Sequence, residues 1–298
     1  MDERRIESVV RNIEDLPTLP RTVLRITEGI NNPKSSARDL AKVITDDQVL
    51  TARLLKLVNS SFYGFPQRIT TVTGAIVLLG FDAIRNLLLS TSVFDLFTGD
   101  TKALLAQREA LWDHSLGTAV AAKAIAQELG SDRIEEIFVC GLLHDIGKIV
   151  QMLYLQEHYL QILDIMAHKK ISFVEAEAET GALSHADIGH LLASRWNLPP
   201  VVAVTIDHHH APRSDHPYPT ETAIVHLADF ISQSLAFGRE TTERMPPIHL
   251  EAVDRLGVSA GRIEAVMIEA EKEFQELSDF AEPSPAPDFL TGWSRHDG

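Results

Sequence analysis

A chain of 298 residues is long enough for one large domain or two small ones. Hydrophobic residues make up 45% and aromatics only 6%, so the core draws mainly on Leu, Ile, Val and Ala, which suits packed helices. A formal net charge of −15 without a dense Lys/Arg run argues against nucleic acid and anionic membrane as partners, because phosphate surfaces are met with Lys and Arg.

The first ten residues, MDERRIESVV, have no apolar core, so a secretory signal is not expected. No apolar run is read as reaching the ~18 residues of a membrane span. One cysteine, Cys140, excludes an intrachain disulfide and fits a reducing cytoplasm, the expected location. Inside the stretch Ile137 to Leu143 it reads as a small buried hydrophobe.

Helical periodicity dominates and strand signals are almost absent. Residues 21–31 carry Val23, Leu24, Ile26 and Ile30 at helical spacing, and Asn31-Asn32-Pro33 stops them. Ser35-Ser36 precede a short helix with Leu40, Val43 and Ile44. Asp46 or Asp47 caps the next, with Leu50, Leu54, Leu57 and Val58. Residues 59–70 read as a loop. A helix through Ala75 and Leu79 ends at Gly80, and Asp82 caps another from Ala83 to about Leu96, whose apolar side is either core or interface. Gly99-Asp100 opens a looser segment. Further helices are expected at 107–129, 134–146, 151–168, 173–180, 185–195, 200–208, 220–236 and 259–277. In the last, Ile263, Val266, Met267, Ala270 and Phe274 share a side that packs back on the domain. Residues 281–298, with three prolines and few apolar anchors, read as a mobile tail.

The most informative line is Gly141-Leu142-Leu143-His144-Asp145-Ile146-Gly147-Lys148. Adjacent helical side chains diverge by about 100°, so His144 and Asp145 can share an ion only where a helix ends. Gly147 is expected to provide that ending. Imidazole and carboxylate suit Zn, Fe or Mn, and Lys148 would place a positive charge beside the ion. Among 13 histidines, His114 aligns with Thr118, Ala121 and Ile125, and His185 with Ile188, Gly189, Leu192 and Trp196, both inward faces. His190 is about 140° from His185 and is the weaker ligand candidate. His208-His209-His210 close a short helix. Asp229 is a lone carboxylate on an apolar helix and needs a partner, which a metal ion would supply. An all-helical core lined by His and Asp is a recurrent metal site.

The chain resembles the HDOD family, related to HD-domain phosphohydrolases, over roughly residues 12–230. The resemblance rests on Leu16-Pro17-Thr18-Leu19-Pro20, Asp46 to Thr51, Leu57 to Tyr63, Ala75 to Gly80, Trp112 to Ser115, the Gly141–Lys148 line, Trp196 to Pro199 and His209-His210. It implies an all-α fold in which an N-terminal helical lobe (12–105) packs on an HD-like lobe (106–236). A C-terminal helical extension (237–280) precedes the tail. It also implies bacterial signalling. By resemblance to HD phosphohydrolases, His114, His144, Asp145 and Asp229 form one metal set. By resemblance to HD-GYP phosphodiesterases, His185, His209 and His210 form a second, with His208 ranked below its neighbours. The glycine-rich stretch ending in Gly-Tyr-Pro is missing; Ala211 to Pro219 stand there, which argues against cyclic-dinucleotide hydrolysis.

Two functions remain open at this point. The first is a regulator that keeps its metal site and acts by binding a signalling protein or a nucleotide-type ligand, through a surface that includes Asn59 to Phe65. Asn59 and Ser60 can equally serve only their own turn. The second is a phosphohydrolase using one or two divalent ions, with Asp145 bridging and Lys148 stabilising charge on phosphate. Oligomeric state is not readable.

Overall fold

The computed structural model describes residues 25–26, 29, 34–59, 63–95, 102–238 and 244–278. The Leu16–Pro20 motif, most of the 21–31 helix, Ser60 to Phe62, Gly99-Asp100 and the 281–298 tail lie outside them. Every regular element among the described residues is helical, so the all-α expectation holds.

Three helices form the N-terminal group: α1 (Ala37–Thr45), α2 (Gln48–Val58) and α3 (Val72–Asp95). Ser36 caps α1 in a reciprocal box with Asp39, and Asp47 caps α2 by accepting the Leu50 amide at 3.0 Å. Such caps are each worth about 1 kcal/mol. Gly80 bends α3 at φ 84°, ψ 171°, where the expected break falls. Both α1 and α2 pack on α3, which in turn meets α5 (Ile134–Leu143). Ile84, Leu87 and Leu88 face the core, so that part of α3 is interior. Asn59 works locally: its amide donates to the carbonyls of Leu55 and Ile69 and its oxygen accepts from the Ile69 amide.

The larger group winds around α4 (Lys102–Glu128). Residues 114–126 of α4 are buried on every side, because α5, α11 (Pro219–Ser234) and α13 (Ala260–Ser278) surround it. A run of small residues, Ala119, Ala121, Ala122 and Ala126, permits that crowding. The C-terminal helix α13 packs back as expected through Val266 and Ala270. It also carries a buried ion pair to α4, Lys123 Nζ to Glu273 Oε1 at 2.8 Å. A short α12 (Leu250–Leu256), not foreseen from the sequence, rests on α11.

Three sequence expectations change. The 134–146 helix ends at Leu143, and α6 (Ile146–Tyr154) begins three residues later; the single helix expected at 151–168 is interrupted at Leu155, so its start belongs to α6 and the rest forms α7 (Gln156–Lys169). Gly147 therefore does not end a helix; it is the second residue of α6. A Cβ there would meet the carbonyl oxygen of His185 at 1.9 Å. Glycine is needed so that α6 can touch the start of α9 (His185–Arg195) backbone to backbone. The stretch Ile134–Tyr154 does pass the length and hydropathy test for a membrane span, contrary to the sequence reading, but 83% of its window is buried inside the protein.

Candidate metal centre

The local sequence fixes each candidate ligand before any ion is considered. His144 caps the C-terminal end of α5, and its Nδ1 lies 2.6 Å from the carbonyl of Gly141. His209 repeats this at the end of α10 (Pro200–His208), with Nδ1 2.7 Å from the Ile206 carbonyl. Helix ends leave carbonyls without partners, and a carbonyl can only accept. Both rings must therefore carry a proton on Nδ1, which turns Nε2 to the cluster as the atom that can offer a lone pair when the ring is neutral. Ser184 and Asp187 form a capping box that starts α9, which makes His185 its first residue. The Nδ1 of His185 meets Glu177 Oε2 at 2.9 Å, and that of His114 meets the Ser232 hydroxyl at 3.3 Å.

All seven sequence-selected ligand residues come together. Asp145 lies in the turn between α5 and α6 with side-chain exposure of 0% and divides two groups. Its Oδ2 faces His114 Nε2 (3.5 Å) and His144 Nε2 (3.4 Å). Its Oδ1 faces His185 Nε2 (3.2 Å) and His209 Nε2 (3.6 Å). Asp229 Oδ1 joins the first group, 3.1 Å from His114 Nε2. His210 joins the second, its Nε2 3.0 Å from that of His185. His190 and His208 stay outside, half-buried and turned toward Asp207.

This arrangement is unfavourable without a cation. Imidazole nitrogens face one another at 3.3 Å (His114–His144) and 3.4 Å (His185–His209), a crowding of lone pairs that only a shared proton or a metal ion relieves. Asp145 Oδ1 is buried and accepts no well-formed hydrogen bond. Ring nitrogens and carboxylate oxygens at this spacing form two overlapping ligand groups, one of His114, His144 and Asp145 and one of Asp145, His185, His209 and His210. The donor set fits a divalent ion of the Fe, Mn or Zn kind.

The electrostatics agree. Burial opposes ionisation of Asp145 and Asp229, yet the surrounding imidazoles, and for Asp145 also Lys148, hold both carboxyls well below the usual range. Burial pushes His209 down to about 4 and also lowers His114 and His210, which keeps these rings neutral. Against the same burial, the charge of Glu177 and the Asp145 contact raise His185 to about 9. Lys148 is anchored, with Nζ 2.6 Å from Asp145 Oδ2 and 4.9 Å from the Phe173 ring centroid. A cleft of about 180 Å³ opens onto the cluster, bordered by His114, Asp145, Lys148, Phe173, His210 and Arg244.

The sequence reading missed the residues that orient the ligands. Glu177 and Gln151 are buried and joined at 2.5 Å, on α8 (Phe173–Thr180) and α6. His226 donates through Nδ1 to the His209 carbonyl at 2.7 Å and accepts the His249 amide at 3.0 Å. Glu177 did carry a signal. It follows Phe173 by four positions, one turn further along the inward side of its helix, although Glu175 and Glu179 on the same helix obscure it. Cys140 is buried as expected, and burial pushes its thiol up to about 12.

Fold and centre together define an all-helical protein with a buried His/Asp cluster between helices. The HDOD domain family model matches residues 16–212, and the chain belongs to that family. An uncharacterized protein of Treponema pallidum (strain Nichols) is 30% identical over 241 residues. The match covers 80% of this chain and 46% of that relative, so the chain spans about half of its length. An HDOD domain protein of unknown function from Geobacter sulfurreducens superposes with a TM-score of 0.72 at 28% identity, covering 94% of this chain and 99% of the other. A proposed phosphohydrolase from Shewanella amazonensis SB2B shares the fold, with a TM-score of 0.71 at 24% identity and coverage of 91% and 97%.

Proposed function

We propose that this protein is a metal-dependent phosphohydrolase acting on a small phosphate ester. The supporting observation is the convergence of five histidine Nε2 atoms and two carboxylates beside an open cleft. His114, His144, Asp145 and Asp229 would hold one ion and His185, His209 and His210 a second, with Asp145 shared. Bound ions supply Lewis-acid polarisation of phosphate and a water nucleophile at neutral pH. The residues do the rest. Asp145 presents one oxygen to each group, Lys148 stabilises negative charge at the cleft floor, and Phe173 shields that ammonium from water. The cleft is smaller than the ~300–1,000 Å³ usual for drug-sized ligands, and Gly-Tyr-Pro is absent, so a compact ester suits it better than a cyclic dinucleotide.

One observation favours a second reading, a regulator whose metal is structural. The Lys148 ammonium is already paired with Asp145, so part of its charge is spent on that carboxylate rather than on a ligand in the cleft. Metal-loaded protein is assayed on p-nitrophenyl phosphate and bis-p-nitrophenyl phosphate. Hydrolysis that disappears in Asp145→Ala supports the enzyme. Absence of hydrolysis with tightly bound metal, and partner binding that survives Asp145→Ala, supports the regulator.

A further inference from the structure

We infer that Glu177 is a positioning residue of the centre, fixing the ring and the proton of His185 so that Nε2 faces the ion as a bare lone pair. This rests on His185 being a ligand, as proposed above. Of the five candidate ligand histidines, only His185 hydrogen-bonds a carboxylate through Nδ1; His144 and His209 use backbone carbonyls and His114 a hydroxyl. Glu177 Oε2 takes the Nδ1 contact at 2.9 Å. Its Oε1 accepts the His185 backbone amide at 2.6 Å and the Gln151 side-chain amide at 2.5 Å. The three residues come from α8, α9 and α6, so the Glu177 carboxylate is itself fixed by two other helices. An ionised carboxylate can only accept, and this obliges Nδ1 to donate. A carboxylate behind a ligating imidazole also raises its basicity.

Glu177 could instead serve only as a tie for the first amide of α9, and Glu177→Gln separates the two roles. The backbone amide of His185 cannot reverse, so the new side-chain oxygen stays at the Oε1 position and the tie survives. The new NH2 then faces Nδ1, which must accept, and the ring proton moves to Nε2, where it blocks a metal. Volume is unchanged.

The experiment is Co2+ titration of metal-stripped protein, with bound metal measured after dialysis. Glu177→Gln is expected to weaken Co2+ binding by ~10–100-fold while the stripped variant stays folded, and Glu177→Asp, which keeps the charge, recovers part of the loss. Wild-type and Glu177→Gln affinities within a factor of two would overturn the positioning role alone. Wild-type protein that takes up no Co2+ would overturn the ligand reading itself. Should Glu177→Gln not fold, 15N NMR of histidine-labelled, zinc-loaded wild type decides. A proton on Nδ1 of His185 supports the assignment, and an Nδ1 that is bare or metal-bound overturns it.

Discussion

At the scale of single residues, the centre is built from opposed proton preferences. In metal-free protein His185 is held up to about 9 and His209 pushed down to about 4, against an ordinary 6.5. A raised histidine contributes stability that is complete below pH 6.5 and is lost as pH climbs through about 9. A depressed one contributes stability that is complete above pH 6.5 and is lost as pH falls through about 4. Together these two groups favour the metal-free fold most near pH 6.5. For His209 the acid-side loss is on the order of 3 kcal/mol, since each tenfold change in proton affinity is worth ~1.4 kcal/mol. Denaturant melts of chelator-treated protein at pH 5, 6.5 and 8.5 check this; a steady rise across the three contradicts it. Asp145 stands apart because it serves both groups. Asp145→Ala should lower metal content in both, by more than the ~10–100-fold typical of an outer partner, as elemental analysis would read.

At the scale of elements, the site depends on where helices stop and how closely they cross. Gly147 lets α6 reach the first turn of α9. Gly147→Ala drives a Cβ into the His185 carbonyl, backbone against backbone, and should cost ~2–3 kcal/mol and displace His185 from the cluster. Gly261→Ala, in open space on α13, should change stability by less than ~1 kcal/mol. Thermal melts with metal assays compare the two. Most helices were legible from the sequence because periodicity and caps are local signals: Ser36 and Asp47 stand where their helices begin. The convergence of the candidate ligands was legible because a polar group on an apolar stripe needs a partner, as with His114 and Asp229. The role of Gly147 was not, because local chemistry cannot tell a helix terminator from a close crossing with a helix some forty residues away. Nor was the all-round burial of α4, since its small alanines show no amphipathic stripe. Glu177 escaped because Glu175 and Glu179 share its short helix, and nothing local marks which of the three acids is buried.

At the scale of the whole molecule, α13 closes the fold over α4 through Lys123 and Glu273. Burial pushes the Glu273 carboxyl up despite the facing ammonium, and its second oxygen is buried without a hydrogen bond. Lys123→Ala leaves that acid exposed to the full cost of burial and should destabilise by ~3–5 kcal/mol. Replacing both by apolar residues, Lys123→Met with Glu273→Leu, should be neutral or stabilising by ~1–4 kcal/mol; a double-mutant cycle by urea unfolding separates the cases. The apolar stretch from Ile134 to Tyr154 carries a consequence for biosynthesis. Part of its cover, α3 and α4, is made before it, but α9, α10 and α11 are made after it, so an emerging chain leaves the remaining sides of a membrane-like sequence bare until about residue 234 has cleared the exit tunnel. Fragments ending near residue 180 should sediment with aggregates or be held by chaperones, while chains reaching residue 278 should not.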